Sequence, residues 1–141
     1  MADHAVAFVC VQNAGRSQMA AALTERELAR RGLDDDVTVL SGGTDPAERV
    51  HPEVVEAMAD IDVDVAGREP RELAPSDLDA ADYVVTMGCS ARDVCPATWR
   101  DENRDWGLDD PHGRSSEAVA AIRDEITRRV ESLVDELESE I

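Results

Sequence analysis

The segment Ala5–Val11 is apolar at every position. This pattern predicts a β-strand with both faces buried, as in a parallel sheet that carries helices on both sides. The next segment, Gln18–Arg31, is rich in alanine and other helix-forming residues, with Ser17 before it as the expected N-cap and Gly32 at its end. The order of strand, short loop and helix favours the α/β class.

Strand and helix patterns continue to alternate along the chain. Val37–Leu40 predicts a second strand that leads into Ser-Gly-Gly, the segment 52–59 begins with proline and predicts a helix, and Tyr83–Met87 predicts another buried strand. The segment 90–115 has no period and predicts a long functional loop. We therefore expect one domain over residues 1–141, a three-layer α/β arrangement that binds ligands at the carboxyl ends of its parallel strands.

The C-terminal segment predicts an amphipathic helix. Its apolar residues recur at helical spacing, and charged residues fill the remaining positions. The apolar set comprises Val119, Ile122, Ile126, Val130, Leu133, Val134 and Leu137. Glu125 precedes Arg128 and Arg129 by three and four residues, so we expect local ion pairs on the solvent face of this helix.

Charge and hydropathy exclude several partners. The chain has 32 acidic residues and 14 basic ones, all arginine, and a formal net charge of -18, which disfavours nucleic acid. Molar salt shortens the screening length to about 3 Å and makes this self-repulsion tolerable, so we expect a halophilic protein, with an ordinary acidic protein as the alternative. There is no apolar run of membrane-spanning length and no signal-peptide pattern, so we expect a cytoplasmic protein that binds no membrane.

A thiol and a guanidinium stand at the two ends of a five-residue turn that leads into the first helix, Cys10 and Arg16. Backbone N–H groups in such a turn, the helix dipole and the arginine fork together favour a tetrahedral oxyanion, and Gly15 allows the bend. The Ser17 hydroxyl can donate to the sulfur, so we expect the Cys10 pKa to lie below its ordinary value. The predicted oxyanion-binding residues are Val11, Gln12, Asn13, Ala14, Gly15, Arg16 and Ser17. Without a lysine the turn is not a nucleotide-binding P-loop; the alternative is a buried cysteine at a strand end.

The pattern C-x5-R-S, followed by Gln-Met-Ala at 18–20, resembles the arsenate reductases of the low-molecular-weight tyrosine phosphatase family over the whole chain. The resemblance implies a three-layer α/β/α fold with a four-stranded parallel sheet. A second match, Trp-Gly-Leu-Asp-Asp-Pro at 106–111, resembles the family's Asp-Pro loop and implies that Asp110 is the general acid for the leaving oxygen. Asn13 matches an asparagine that supports the family's loop. From the residues alone, a turn-forming Asp-Pro on the surface is the preferred interpretation of Asp110, because the same dipeptide also occurs at Asp45-Pro46.

Three cysteines, an odd number, favour thiol chemistry over a disulfide framework. Cys89 and Cys95 lie where related reductases keep redox cysteines, which implies a relay from Cys10 to Cys89 and then to Cys95. The alternatives are a buried Cys89 with an incidental Cys95, or a zinc site, for which the spacing is wrong. We expect no metal, no bound cofactor, a monomer, and an external reductant that is either thioredoxin or a small thiol.

Two rival functions use the same residues. One is a low-molecular-weight phosphatase that hydrolyses phosphate monoesters through a phosphocysteine. The other is an arsenic-responsive or redox-responsive protein that binds an oxyanion without turnover. Gln18 stands where tyrosine phosphatases carry proline, and His-Gly at 112–113 stands where they place aromatic residues. These departures favour the reductase.

Overall fold

The computed structural model describes residues 4–10, 13, 15–43, 46–72, 81–86, 103–106 and 113–140. Within these residues four strands and three helices follow one another. They are β1 (His4–Cys10), α1 (Arg16–Arg30), β2 (Val37–Gly43), α2 (Pro52–Ala59), β3 (Tyr83–Thr86), β4 (Asn103–Asp105) and α3 (Ser116–Glu140). The second helix has the predicted bounds.

The four strands form one parallel sheet in the order β2-β1-β3-β4. In the register of the sheet Cys10 is paired with Gly43, and Val9 is paired with Thr86. The carboxyl ends of the three strands that carry these residues therefore lie together, and Cys10 is on an inner strand. The predicted four-stranded parallel sheet is confirmed.

Strand β1 is buried on both faces, as its apolar run predicts. Val6 and Phe8 belong to a large core cluster to which all three helices contribute. Ala7 and Val9 point to the opposite face and pack in a smaller cluster with Val84. Cys10 lies on the side of the large cluster, at the end of the strand.

Helix α3 buries the predicted apolar stripe. Its buried residues are Val119, Ile122, Ile126, Val130, Leu133, Val134 and Leu137. On the solvent face Glu125 pairs with Arg128 at 2.6 Å and with Arg129 at 2.8 Å. None of the helices described above is long and apolar enough to cross a membrane.

The prediction of an unbroken loop over 90–115 is wrong, because β4 lies within it. This strand is only three residues long, Asn-Arg-Asp, and occupies the outer position next to β3. A short polar strand at the border of a sheet carries no run of apolar residues, so a search for hydrophobic periodicity does not detect it.

Candidate active site

The Cys10 side chain is 4% exposed at the carboxyl end of β1. Helix α1 begins at Arg16, and Arg16 itself is 8% exposed. The first turn of α1 contains no acidic residue. The N-terminal end of a helix carries partial positive charge, so the sulfur lies next to a region that stabilises an anion.

Ser17 is in the first turn of α1, and its Oγ is 2.9 Å from the Cys10 sulfur. The prediction that Ser17 is the N-cap is wrong, because Gly15 holds that position and Arg16 is already helical. The hydroxyl contacts the sulfur and does not cap the helix. The expected contact of hydroxyl and sulfur is present.

Asn13 is the centre of the hydrogen-bond network of this loop. It is fully buried and has a φ of 50°, a left-handed conformation that asparagine tolerates better than most residues. Its backbone N–H donates to the Cys10 sulfur at 3.2 Å, and its Nδ2 donates to Ser17 Oγ at 2.7 Å. Its Oδ1 accepts from the Arg71 backbone N–H and from Gln18 Nε2, both at 3.0 Å.

The Arg71 contact identifies the direction of these hydrogen bonds. A backbone N–H can only donate, so the atom of Asn13 that it meets must be the carbonyl oxygen, and the amide nitrogen must face Ser17. When the Cys10 sulfur is ionised, only the Ser17 hydroxyl can supply the hydrogen of the 2.9 Å contact. The sulfur then accepts a hydrogen bond from Ser17 and one from the Asn13 N–H, and both stabilise the thiolate.

The backbone at Arg71 also joins the loop to the sheet. Its N–H donates to Asn13, and its carbonyl accepts a hydrogen bond of 2.9 Å from the backbone N–H of Gly43, at the end of β2. Gly43 is in turn the register partner of Cys10. The loop is therefore held from the helix side by Gln18 and from the sheet side by residue 71.

Several predicted site residues lie outside the described residues. They are Val11, Gln12 and Ala14 of the loop, Cys89, Cys95 and Asp110. Trp106, which begins the predicted Asp-Pro segment, is described and packs against Phe8 with ring centroids 5.7 Å apart. Its backbone N–H donates to the Thr86 carbonyl at 2.8 Å, so Trp106 itself lies beside the end of β3, the strand that neighbours β1.

The contributions of Gln18, Arg68 and Arg71 to the network were not predicted. No role in the site was predicted for Gln18, yet it is 1% exposed and donates to both the backbone and the side-chain oxygen of Asn13. Partners 50 or 58 residues apart leave no local pattern in a sequence. Among the described residues, no three His, Cys, Asp or Glu side chains are grouped so that they could hold a metal ion.

A family model described as low molecular weight phosphotyrosine protein phosphatase matches residues 5–141. A Halobacterium salinarum protein described as "Putative arsenate reductase" is 52% identical over 129 residues, which cover 92% of this chain and 89% of that protein.

Solved structures extend the likeness to the fold. A Corynebacterium glutamicum thioredoxin-dependent arsenate reductase superposes with a TM-score of 0.80 at 34% identity and covers 99% of this chain and 64% of its own. An arsenate reductase in the phosphate binding state superposes with a TM-score of 0.81 at 29% identity and covers 94% of this chain and 98% of its own. The predicted fold class is thus confirmed.

Proposed function

The chain belongs to the low molecular weight phosphotyrosine protein phosphatase family, and on this premise we propose that it reduces arsenate to arsenite with Cys10 as the nucleophile. The observation that carries the proposal is the surroundings of the Cys10 sulfur, which is contacted by the Asn13 N–H and the Ser17 hydroxyl beside the start of α1. A thiolate in such surroundings attacks tetrahedral oxyanions. The relatives described as arsenate reductases support arsenate over a phosphate ester.

The first step joins sulfur to arsenic. The Cys10 thiolate forms a bond to the arsenic of arsenate, and one As–O bond breaks. Arg16 and the N–H groups of the loop hold the remaining oxygens. Asp110 donates the proton with which the departing oxygen leaves as water, since a hydroxide is a poor leaving group. Arsenic remains As(V) in this step.

The second step is the reduction. The Cys89 thiolate attacks the Cys10 sulfur, a disulfide forms, and the As–S bond breaks with its electron pair staying on arsenic. Arsenic is thereby reduced to As(III) and leaves as arsenite. Cys95 then attacks Cys89, which releases Cys10 as a thiolate and leaves a disulfide between Cys89 and Cys95. The thioredoxin-dependent relative supports thioredoxin as the reductant of that disulfide, and a small thiol is the alternative.

The test is arsenite formation from arsenate, measured in molar salt because the chain carries a net charge of -18. Thioredoxin with its reductase and a small thiol are supplied in parallel reactions. The native chain is compared with Cys10→Ser, Cys89→Ser and Cys95→Ser, and each variant is also assayed with an aryl phosphate. We expect arsenite from the native chain and none from Cys10→Ser or Cys89→Ser.

The variants separate the relay from its rivals. If Cys95→Ser completes one turnover and then stops, Cys95 regenerates the nucleophile as proposed. If Cys89→Ser and Cys95→Ser reduce arsenate as fast as the native chain, the relay is wrong and a small thiol attacks the Cys10 adduct directly. If the native chain forms no arsenite but hydrolyses the aryl phosphate, the phosphatase function replaces the reductase.

A further inference from the structure

Arg68 lies at the outer end of the hydrogen-bond chain that begins at the Cys10 sulfur. Its Nε donates to Gln18 Oε1 at 2.7 Å, and its Nη1 donates to Glu25 Oε2 at 3.0 Å. The Arg68 side chain is 28% exposed, whereas the Gln18 residue is 1% exposed. The buried Gln18 amide is therefore enclosed between an arginine on one side and Asn13 on the other.

Arg68 determines which way the Gln18 amide points. A guanidinium can only donate, so the atom of Gln18 that it meets is the carbonyl oxygen. The Gln18 Nε2 group then faces Asn13, where it donates at 3.0 Å to the backbone oxygen and at 3.0 Å to Oδ1. With the amide reversed, Gln18 would place an oxygen against both of these acceptors, which is unfavourable in a buried site.

We propose that Arg68 is a positioning residue for the reaction: through Gln18 and Asn13 it keeps the Ser17 hydroxyl donating to the Cys10 sulfur. The two hydrogen bonds nearest the sulfur are short: Asn13 Nδ2 lies 2.7 Å from Ser17 Oγ, and that oxygen lies 2.9 Å from the sulfur. The positive charge of Arg68 polarises this series of hydrogen bonds in the direction that favours a thiolate at Cys10. The inference rests on the proposed role of Cys10 as the nucleophile.

A purely structural role makes a different prediction. Arg68 also ties its own segment to α1 through Glu25. If that tie were its whole contribution, Glu25→Gln would affect the site as strongly as Arg68→Gln. In the positioning role, Glu25→Gln leaves the contact of Arg68 with Gln18 in place and removes a negative charge, so it does not weaken the thiolate.

The test measures the pH dependence of Cys10 alkylation by iodoacetamide, with the Cys10 peptide resolved from the other two cysteines by mass spectrometry. No arsenate is present, so the result is independent of whether the chain is a reductase. The chain is compared with Arg68→Gln, Arg68→Lys, Glu25→Gln and the remote exposed control Arg128→Gln. Circular dichroism and thermal melting establish that each variant is folded.

We expect Arg68→Gln to raise the titration midpoint by about one pH unit, which lowers the alkylation rate about tenfold at a pH below both midpoints. Arg68→Lys keeps a donor and the charge and recovers part of this loss, which also keeps the proposal testable if Arg68→Gln does not fold. Arg128→Gln leaves the titration midpoint unchanged. Glu25→Gln leaves it unchanged or lowers it. An unchanged midpoint in a folded Arg68 variant, or an equal rise in Glu25→Gln, overturns the proposal.

Discussion

Ser17→Ala removes the hydroxyl that contacts the Cys10 sulfur and leaves the contact with the Asn13 N–H in place. Ser17 is fully buried and the contact is 2.9 Å long, so solvent does not reach the position to replace the lost hydrogen bond. A hydrogen bond to a charged group contributes about 1.5–3 kcal/mol. Its loss destabilises the thiolate and not the thiol, so the pKa of Cys10 rises, by about one to two units.

The alkylation rate of Cys10 as a function of pH, at constant molar salt, gives the size of this effect. At a pH below both midpoints the Ser17→Ala variant should react about tenfold to a hundredfold more slowly. Ser132→Ala, which changes an exposed serine on α3, serves as the matched control and should titrate like the native chain. A folded Ser17→Ala variant with an unchanged midpoint would refute the inference that the hydroxyl donates to the thiolate.

Further predictions concern the core, the strained loop residue and the helix surface. Leu133 is 1% exposed. Leu133→Ala leaves a cavity in the core and should lower the free energy of unfolding in urea by about 2–5 kcal/mol. Asn13→Ala should have a free energy of unfolding in urea about 1 kcal/mol lower than that of Asn13→Gly, because only glycine adopts a positive φ without strain. Hydrogen bonds from Arg129 and Arg128 hold the pKa of Glu125 below its ordinary value. These ion pairs therefore stabilise the fold at a pH above the ordinary pKa of glutamate, and their contribution is lost as the pH falls through the lowered pKa of Glu125. Glu125→Gln should therefore melt earlier than the native chain at neutral pH in low salt, and together with it in acid or in molar salt.

The parts of the fold that could be predicted are those where burial leaves a repeating pattern. Strand β1 has both faces in core clusters, so every position is apolar, and α3 presents one stripe to the sheet, so its apolar residues recur at helical spacing. Strand β4 is short and consists of polar residues, so it has no apolar pattern, and its residues were predicted as part of a loop. A search for apolar periodicity therefore does not detect a short strand of polar residues.

The active site likewise has residues that could be predicted from the sequence and residues that could not. Cys10, Arg16 and Ser17 are close in the sequence, and their spacing alone places a thiol, a guanidinium and a hydroxyl around one turn. Arg68 reaches the same turn from 50 residues away, and nothing in its neighbourhood distinguishes it from the arginines on the surface. The contact of Ser17 with the sulfur was predicted correctly, but its position as N-cap was not, because the start of the helix depends on how the loop closes.

The backbone contact between residue 71 and Asn13 restricts which residue can occupy position 71. Residue 71 supports the loop with its backbone, donating to Asn13 and accepting from Gly43, and both groups are common to almost every amino acid. Proline has no N–H to donate, so proline at this position should break the hydrogen bond to Asn13. The backbone contribution of this position to the loop is therefore marked by a forbidden residue and not by a required one.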